Sequence, residues 1–458
     1  AIDPGEDSKL EEEATKLKVP KNRRGRVSNN KVEIGTSYLG ISFQYQGNIE
    51  SIPEINATEG LEYSIDKIIR LLTQKKTKIA VAASEGELST QGQQGQPGGL
   101  SYLKQSADFF DLVPVKLNEG AKPIPDDAVA LLIAGPKQQF TERSKFVIDQ
   151  FLMKGKSVAF FVDGMILEQP QQMKMPGGQE TPRIGRKNDT GLEDLLGSYG
   201  FAIHDDYVME PIKNVVGPVP INGQMQGANY PAFLATDTIA KSSQILEGLP
   251  LLILPWSSSV ELLKDKQSGL VITELATSSD KSWRQKGFFL FNPELPLKPS
   301  DERGPFPLAY AAEGKFKSFY AGKPHPDEKG VMVPPGDKNV SLPPGTEVAI
   351  DQAEAPGRLL VIGSSTWVSD QNISLIRYVQ SYQVDLMLGL NSLDWLAQDR
   401  ALSAVRNKAM TQRPIALGSE TTPAVLEAVN IGLIPFVFLL LGVARWRLRK
   451  MRRAQAKL

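Results

Sequence analysis

The chain has 458 residues and no net charge, because 52 lysines and arginines balance 52 aspartates and glutamates. This length allows two or three domains, and a neutral chain gives no support for nucleic acid as a partner. The absence of cysteine excludes disulfides, thiolate metal sites and cysteine nucleophiles. Two histidines, His204 and His325, lie far apart and in no metal-ligand spacing, which argues against a histidine zinc site. We therefore expect no metal and no cofactor.

Residues 1–56 are predicted to be the remnant of an N-terminal α/β or β-rich subdomain. The segment "AIDPGEDSKLEEEATKLKVP" is acidic and helix-like, and "VEIGTSYLGISFQYQGN" alternates in the manner of antiparallel strands with one wet face. Residues 61–72 follow with helical periodicity, with Thr58 as the expected N-cap, and should pack on a sheet.

The next part of the chain alternates between apolar strands and amphipathic helices. Strands are predicted at 77–84, 112–117, 128–136 and 156–164, and helices at 98–111 and 141–155. Near-continuous apolar strands that alternate with helices predict a mainly parallel sheet covered on both faces. The helix at 141–155 has its own signals, since Thr141 is a preferred N-cap and Gly155 a helix stop.

The second half of the chain is more irregular and predicts β-rich insertions. Residues 191–210 read as a helix followed by a strand, and 249–263 and 269–283 read as extended pairs. Two polar, loop-like insertions are expected, at about 165–190 and 323–345. A loop as long as the first is usually functional or disordered, and we favour disorder or edge cover over binding. Residues 57–410 thus form the predicted α/β ectodomain.

Candidate ligand-binding residues come from the ends of the predicted strands. Parallel sheets bind ligands at the carboxyl ends of their strands, near the switch in strand order. The last strong buried strand, in 357–371, ends in small and acidic residues that could share one crevice with those of the earlier strands. The simpler alternative is a tight turn that needs small residues. The candidates are Ser84, Glu85, Gly135, Asp163, Ser364, Ser365 and Asp370.

The C-terminus predicts a membrane span at 425–445 after a linker at 411–424, followed by a basic cytoplasmic tail at 446–458. The apolar run is about long enough to cross a bilayer, and the arginines after it indicate a cytoplasmic end under the positive-inside rule, which puts the ectodomain outside. A buried core helix is the alternative. Asn430 would contact a neighbouring membrane helix or find water at the interface. The predicted partner-contacting residues are Asn430, Gly432, Pro435 and Gly442.

Five segments occur in an order that resembles a known family. They are "LEYSIDKIIRLL", "FVIDQFLMKGKSVAFFVDG", "PLAYAAEGKFKSF", "GRLLVIGSSTWVSD" and "NSLDWLAQDRALSAVRNK", and the predicted span follows them. Together they resemble the auxiliary, or substrate-binding, subunit of gliding-motility-associated ABC transporters. The resemblance implies an ectodomain with a class I glutamine-amidotransferase-like fold, shared with intraflagellar transport proteins. It does not imply that fold's cysteine chemistry, because this chain has no cysteine.

The resemblance also implies a segment upstream of Ala1. Family members usually carry an N-terminal span and a further α/β segment before a strand that ends in "IDP", which matches residues 2–4 here. No signal peptide precedes this start. We expect the upstream part to have been cleaved or omitted, or to exist as a separate polypeptide or homologous subunit.

Three functions are compatible with these patterns. The first is a membrane-anchored, non-catalytic ectodomain that works with an ABC permease and its ATPase at the inner membrane, and we favour it. The second is a module that binds a cell-envelope polymer or protein without transport. The third is a hydrolase that uses a serine or the carboxylates Asp163 and Asp370. A nucleophilic serine needs a base and oxyanion donors, and "VIGSSTW" lacks the second glycine of a nucleophile elbow.

Overall fold

The computed structural model describes most of the chain up to residue 398. The described residues are 7–28, 31–55, 61–91, 98–120, 122–168, 183–221, 224–264, 266–287, 289–291, 297–327, 329–334, 349–376, 382–398, 442, 445–447 and 449. The chain separates into two units, Ala1–Ala409 and Met410–Leu458.

The secondary structure of the first unit alternates between helices and many short strands. The helices are α1 (Ser8–Lys16), α2 (Leu61–Thr73), α3 (Ser101–Ser106), α4 (Glu142–Met153), α5 (Glu193–Ser198), α6 (Asp370–Ile376) and α7 (Tyr382–Leu396), with 3-10 turns at Gln244–Leu246 and Thr366–Val368. The strands are β1 (Asn22–Ser28), β2 (Lys31–Ser37), β3 (Ile41–Tyr45), β4 (Asn48–Ile52), β5 (Thr77–Ala82), β6 (Phe110–Val115), β7 (Ala128–Ala134), β8 (Ser157–Phe161), β9 (Met165–Glu168), β10 (Arg183–Lys187), β11 (Phe201–Ile203), β12 (Asp206–Met209), β13 (Asn214–Ile221), β14 (Gln224–Thr236), β15 (Leu252–Ile253), β16 (Val260–Leu262), β17 (Val271–Thr277), β18 (Trp283–Lys286), β19 (Phe289–Phe291), β20 (Pro307–Gly314), β21 (His325–Pro326), β22 (Met332–Val333) and β23 (Gly357–Ile362).

The N-terminal residues form a helix and two hairpins, in agreement with the alternation of the sequence. Asp7 is the N-cap of α1, where its side chain accepts a hydrogen bond from the backbone N–H of Lys9 at 2.9 Å. Strands β1 and β2 pair antiparallel, as do β3 and β4. Helix α2 packs on β3 and β4. Its expected cap, Thr58, lies outside the described residues.

A seven-stranded mixed sheet forms the centre of the first unit. Its strand order is β17-β20-β23-β8-β7-β5-β6. Five neighbouring strands, from β23 to β6, run parallel to one another. Strand β20 runs antiparallel to both of its neighbours. The chain passes from β5 outward to β6 and then back to β7 on the other side, so the switch in strand order falls between β5 and β7.

Two hydrophobic cores cover the two faces of this sheet. Successive residues of β5 point to opposite faces, so that Ile79 and Val81 join one core while Ala80 and Ala82 join the other. Helices α3 and α7 cover the first face, and α4 and α5 cover the second. Because both faces are buried, the central strands are continuously apolar in sequence. Each fully buried aliphatic side chain contributes about 1.5–3 kcal/mol.

Helix α4 and its flanking strands lie close to their predicted bounds, but the 98–111 region does not. The helix predicted at 98–111 ends at Ser106, and β6 begins at Phe110 rather than at residue 112. The buried side chains of Ala107 and Phe110 fit the helical and the extended pattern equally well in sequence. Pairing of Phe110 with Thr77 of β5 decides for the strand.

The irregular second half of the chain forms several small sheets, and those that contain β9, β12 and β14 surround a third hydrophobic core. The ends of the predicted loop at 165–190 are strands β9 and β10, which pair with each other, and β10 also pairs with β19. This corrects the prediction for the described part of that segment. The extended segments 249–263 and 269–283 do not pair with each other: their strands pair with β14, β11, β20 and β12. Local sequence patterns do not encode such long-range pairing.

The second unit, Met410–Leu458, is described at five helical positions, which include Gly442 and Trp446. A side chain placed at Gly442 would meet nothing within 4 Å. Asn430, Gly432 and Pro435 lie outside the described residues. Among the residues that the structure describes, no helix is both long enough and apolar enough to cross a membrane.

Candidate functional site

The carboxyl edge of the parallel strands gathers polar residues, but it arranges them in three separate clusters. Ser84 and Glu85 follow β5, Gly135 follows β7, Asp163 follows β8 and Ser364 follows β23. The sequence predicts one shared crevice at this edge. The structure brings Asp163, Ser365 and Gly135 together, and it gives Glu85 and Asp370 different partners.

The first cluster joins the ends of β8 and β23. The Asp163 carboxylate accepts hydrogen bonds from the backbone N–H of Ser365 at 2.7 Å and from the Ser365 hydroxyl. Burial raises the pKa of Asp163 to about 6, against the lowering effect of these two bonds. Gly135 lies beside the pair with a φ of 64°, and a Cβ there would come within 2.8 Å of the Ser365 hydroxyl. Only glycine fits both its backbone conformation and this close approach.

Ser364 is held separately from its neighbour. Its hydroxyl donates to the carbonyl oxygen of Pro255 at 2.8 Å, and its own carbonyl accepts from the Trp367 indole at 3.0 Å. Both contacts are buried, so Ser364 anchors the segment after β23 to the surrounding core and does not present its hydroxyl to solvent.

The second cluster lies at the switch in strand order and contains two residues that sequence reasoning missed, Glu87 and Ser144. Glu85 is buried and accepts hydrogen bonds from the hydroxyls of Ser84 and Ser144, the latter at 2.6 Å. The Glu87 carboxylate accepts from the backbone N–H of Glu85 at 2.7 Å. Burial, together with the nearby charge of Glu85, raises the pKa of Glu87 to about 7. The sequence could have indicated Glu87, because it is a second glutamate two residues after the candidate Glu85.

The third cluster ties α6 to α3. Asp370 is fully buried, and its carboxylate accepts hydrogen bonds from the backbone N–H groups of Ser101 at 2.8 Å and Tyr102 at 2.9 Å. Its own N–H donates to the carbonyl of Gly99 at 2.8 Å. Asp370 therefore accepts from the first N–H groups of α3, which have no partner within the helix. This arrangement is separate from the pair at Asp163.

A small cavity of about 60 Å³ opens beside Asp163. Its polar lining includes Lys187, Thr190 and Glu193, and Lys187 forms an ion pair with Glu193 at 3.2 Å. The buried Asn188 amide donates to the carbonyls of Pro136 and Asp163, at 2.9 and 2.8 Å, while its own oxygen has no partner. No local sequence pattern predicts the role of Asn188, because strand β10 brings it to this edge only on folding.

Among the described residues, the hydrogen bonds at this edge do not connect Ser364 or Ser365 to a histidine. The imidazole of His204 bonds the Glu261 carboxylate at 2.9 Å, and no hydrogen bond joins it to Ser365. No cluster of three metal-binding side chains occurs among the described residues. Asp163 and Ser365 can exchange a proton and fix each other's position, but a nucleophile also needs oxyanion donors.

We expect Asp163→Asn to flatten the dependence of stability on pH between about pH 4 and 6. The folded state keeps a proton on Asp163 up to about pH 6, whereas the unfolded chain loses it near 3.8. Stability should therefore fall as the pH rises through this window and stay level above it. Two pKa units correspond to about 3 kcal/mol, and we expect a change of about that size across this window, because burial of the carboxyl group causes the shift.

Chemical denaturation at a series of pH values measures this effect. Asn at position 163 can still accept from the Ser365 N–H, so the variant should fold. Asp280→Asn, which changes an exposed loop carboxylate, is the control. Equal slopes for the wild type and Asp163→Asn would contradict the raised pKa.

These features define a mixed α/β domain in which the polar residues at the carboxyl edge of the central sheet hydrogen-bond to one another and to the backbone. Residues 76–392, more than half of the chain, match the family model described as an ABC-type uncharacterized transport system, and the chain belongs to this family of auxiliary ABC transport components. An uncharacterized protein of Borreliella burgdorferi is 27% identical over 304 residues, 64% of this chain and 56% of that protein. The chain thus spans little more than half of that relative.

Two solved structures resemble this chain more weakly. The mmIFT52 N-terminal domain is 13% identical with a TM-score of 0.38, over 70% of this chain and 97% of that chain. The exo-β-1,4-mannosidase Op5Man5 from Opitutaceae bacterium strain TAV5 is 10% identical with a TM-score of 0.26, over 72% and 38% of the two chains. Because both TM-scores are below 0.5, neither likeness carries an argument about fold or function.

Proposed function

We propose that this protein is a membrane-anchored, non-catalytic ectodomain subunit of an ABC transporter of the gliding-motility-associated type. Membership of the auxiliary transport family carries this proposal. In it, the span at 425–445 crosses the inner membrane, the tail at 446–458 lies in the cytoplasm and the ectodomain lies outside. The basic residues after the apolar run support this orientation.

The ectodomain serves to bind or position a substrate or partner for the permease, on an amidotransferase-like scaffold. The carboxyl edge supports a binding role over a chemical one. Its carboxylates at Glu85, Asp163 and Asp370 are engaged by hydroxyl and N–H donors that hold the strand ends together. The cavity beside Asp163 then offers a small polar recess on a rigid frame. Ligand binding by the seven candidate residues stays a prediction.

Copurification in mild detergent tests this function. A tagged full chain, expressed in its native cell, should retain a permease and an ATPase that are identified by mass spectrometry. A matched chimera, in which polyleucine replaces 425–444 and Arg445 to Lys457 are kept, should still insert but retain less permease, since polyleucine lacks the polar contact of Asn430 and the close approach at the glycines.

Retention of envelope proteins or polymer without any transporter component would support the module that binds without transport and overturn our proposal. A chimera that copurifies and functions like the parent would place the transporter contact in the ectodomain. Labelling of Ser364 or Ser365 by serine-directed probes, with turnover lost in their alanine variants, would contradict a non-catalytic role.

A further inference from the structure

A second recess lies away from the candidate site, between α4 and the segment 122–126. It has a volume of about 70 Å³ and reaches from Arg143, near the start of α4, to Lys154, just after its end. The segment 122–126 precedes β7, and Lys156 precedes β8. This end of the two strands is opposite the carboxyl edge, so the recess is separate from the clusters around Asp163 and Glu85.

The floor of this recess is apolar. Ile124 from the segment and Phe146 and Phe151 from α4 line it, and all three side chains are largely buried. The three residues come from two separate elements whose positions are fixed by the core beneath them, because Phe151 and Ile124 both belong to the hydrophobic core on this face of the sheet. The floor is therefore preformed.

The rim of the recess is strongly basic. Four cationic side chains line it, Lys122, Arg143, Lys154 and Lys156, against one carboxylate, Asp126. Asp126 forms an ion pair with Lys122 at 3.2 Å. The Arg143 guanidinium lies 5.9 Å from the centre of the Phe146 ring, so positive charge directly borders the apolar floor. Cations therefore outnumber carboxylates by four to one among the lining side chains, and Asp127, outside the lining, also interacts electrostatically with Lys156.

The size of the recess decides which occupant fits. Sites for small molecules usually enclose about 300–1,000 Å³, and an apolar cavity of about 150 Å³ holds benzene. A recess of about 70 Å³ has room for the end of one side chain, not for a whole ligand. Protein interfaces use such pockets to hold a single apolar anchor, with charges at the rim that attract and orient the partner.

We propose that this recess is a docking site for an acidic segment of a partner protein, which inserts one aliphatic side chain between Ile124 and Phe151. The acidic residues on either side of that anchor pair with the lysines at the rim. The proposal goes beyond the transport role, because it depends on the charge and shape of this recess alone and holds whatever the transported substrate is.

Fluorescence anisotropy with the full chain in mild detergent tests this docking. The probe is a labelled heptapeptide with a central leucine between two runs of three aspartates or glutamates. We expect saturable binding with a Kd on the order of 100 μM or tighter, weakened by salt because Lys122 and Lys154 at the rim are exposed. A peptide with serine in place of the leucine should bind about tenfold more weakly, and one with lysines in place of the acids should not bind.

Matched variants locate the binding on the protein. Lys154→Glu combined with Lys156→Glu should weaken binding of the leucine peptide at least tenfold. Lys264→Glu combined with Lys266→Glu changes the net charge equally, at the same spacing on an exposed segment far along the chain, and should have little effect. Ile124→Ala should weaken binding by roughly threefold to tenfold with the charge unchanged. Thermal unfolding of each variant confirms that it is folded.

Three results would overturn the proposal. The first is no saturable binding of the leucine peptide at millimolar concentration. The second is equal affinity for the leucine and serine peptides, which would mean a general attraction of charges. The third is binding to phosphatidylglycerol vesicles, but not to the peptide, that disappears in the Lys154 and Lys156 variant, which would assign the basic rim to a membrane surface.

Discussion

Asp149→Ala is expected to lower the free energy of unfolding by about 3–5 kcal/mol, among the largest effects of any single substitution in this chain. Asp149 lies on α4 with no solvent exposure. One carboxylate oxygen accepts hydrogen bonds from the Tyr199 hydroxyl at 2.7 Å and the Phe319 N–H at 2.8 Å. The other accepts from Gln150 at 2.9 Å and Ser318 at 2.6 Å. Alanine would remove the acceptor from all four donors, and of these the Gln150 amide keeps a second bond, to the Ile350 carbonyl at 3.3 Å.

The free energy of unfolding falls because the substitution leaves hydrogen-bond donors without their acceptor. Each buried donor without a partner costs about 1–3 kcal/mol, although local rearrangement and water recover part of this sum. Burial also raises the pKa of Asp149, and its four hydrogen bonds oppose that shift. The carboxylate thus joins α4 to the chain after α5 and to the segment after β20, which are about 50 and 170 positions away in sequence.

Urea denaturation followed by circular dichroism measures this loss. Asp149→Asn is the matched control, because it keeps the shape and one acceptor oxygen and should cost less than Asp149→Ala. Ser318→Ala, which removes one donor together with its hydroxyl, should cost only about 1 kcal/mol. If Asp149→Ala were no more destabilising than Ser318→Ala, the four-donor network would not contribute as we describe.

Asp370→Ala should lower the free energy of unfolding by about 2–4 kcal/mol. The substitution removes the acceptor for the first two N–H groups of α3 and leaves them buried. The carboxylate also fits closely against Gly99, where a Cβ would come within 2.2 Å of it. We therefore expect α3 and the residues before it to loosen first, and hydrogen exchange of the Ser101 and Tyr102 amides should become faster while that of β7 stays slow.

Two controls separate capping from charge. Asp370→Asn retains one acceptor oxygen and should recover about half of the stability that alanine loses. Asp280→Ala removes a carboxylate from an exposed loop and should stay within about 0.5 kcal/mol of the wild type. Unchanged exchange of the α3 amides in Asp370→Ala would show that the carboxylate does not hold this helix.

The sequence alone indicates the central strands and the helix α4. A strand buried on both faces must be apolar at every position, so β5, β7, β8 and β23 stand out as short apolar runs near their observed bounds. The signals that start and end helix α4 are also local. The Thr141 side chain accepts from the N–H of Ser144 at 3.1 Å, and Gly155 ends the helix with a φ of 73°. These features depend on neighbours within four residues.

Only the tertiary structure decided the pairing of strands and of buried polar groups. Strand β20 lies antiparallel between β17 and β23, and β9 with β10 replace part of a predicted loop. Ser365 and Asp370 are five residues apart in sequence, yet one bonds Asp163 and the other caps α3. Each of these contacts joins residues from distant parts of the chain. Its energy depends on how the buried groups meet after folding, which local periodicity and capping signals do not encode.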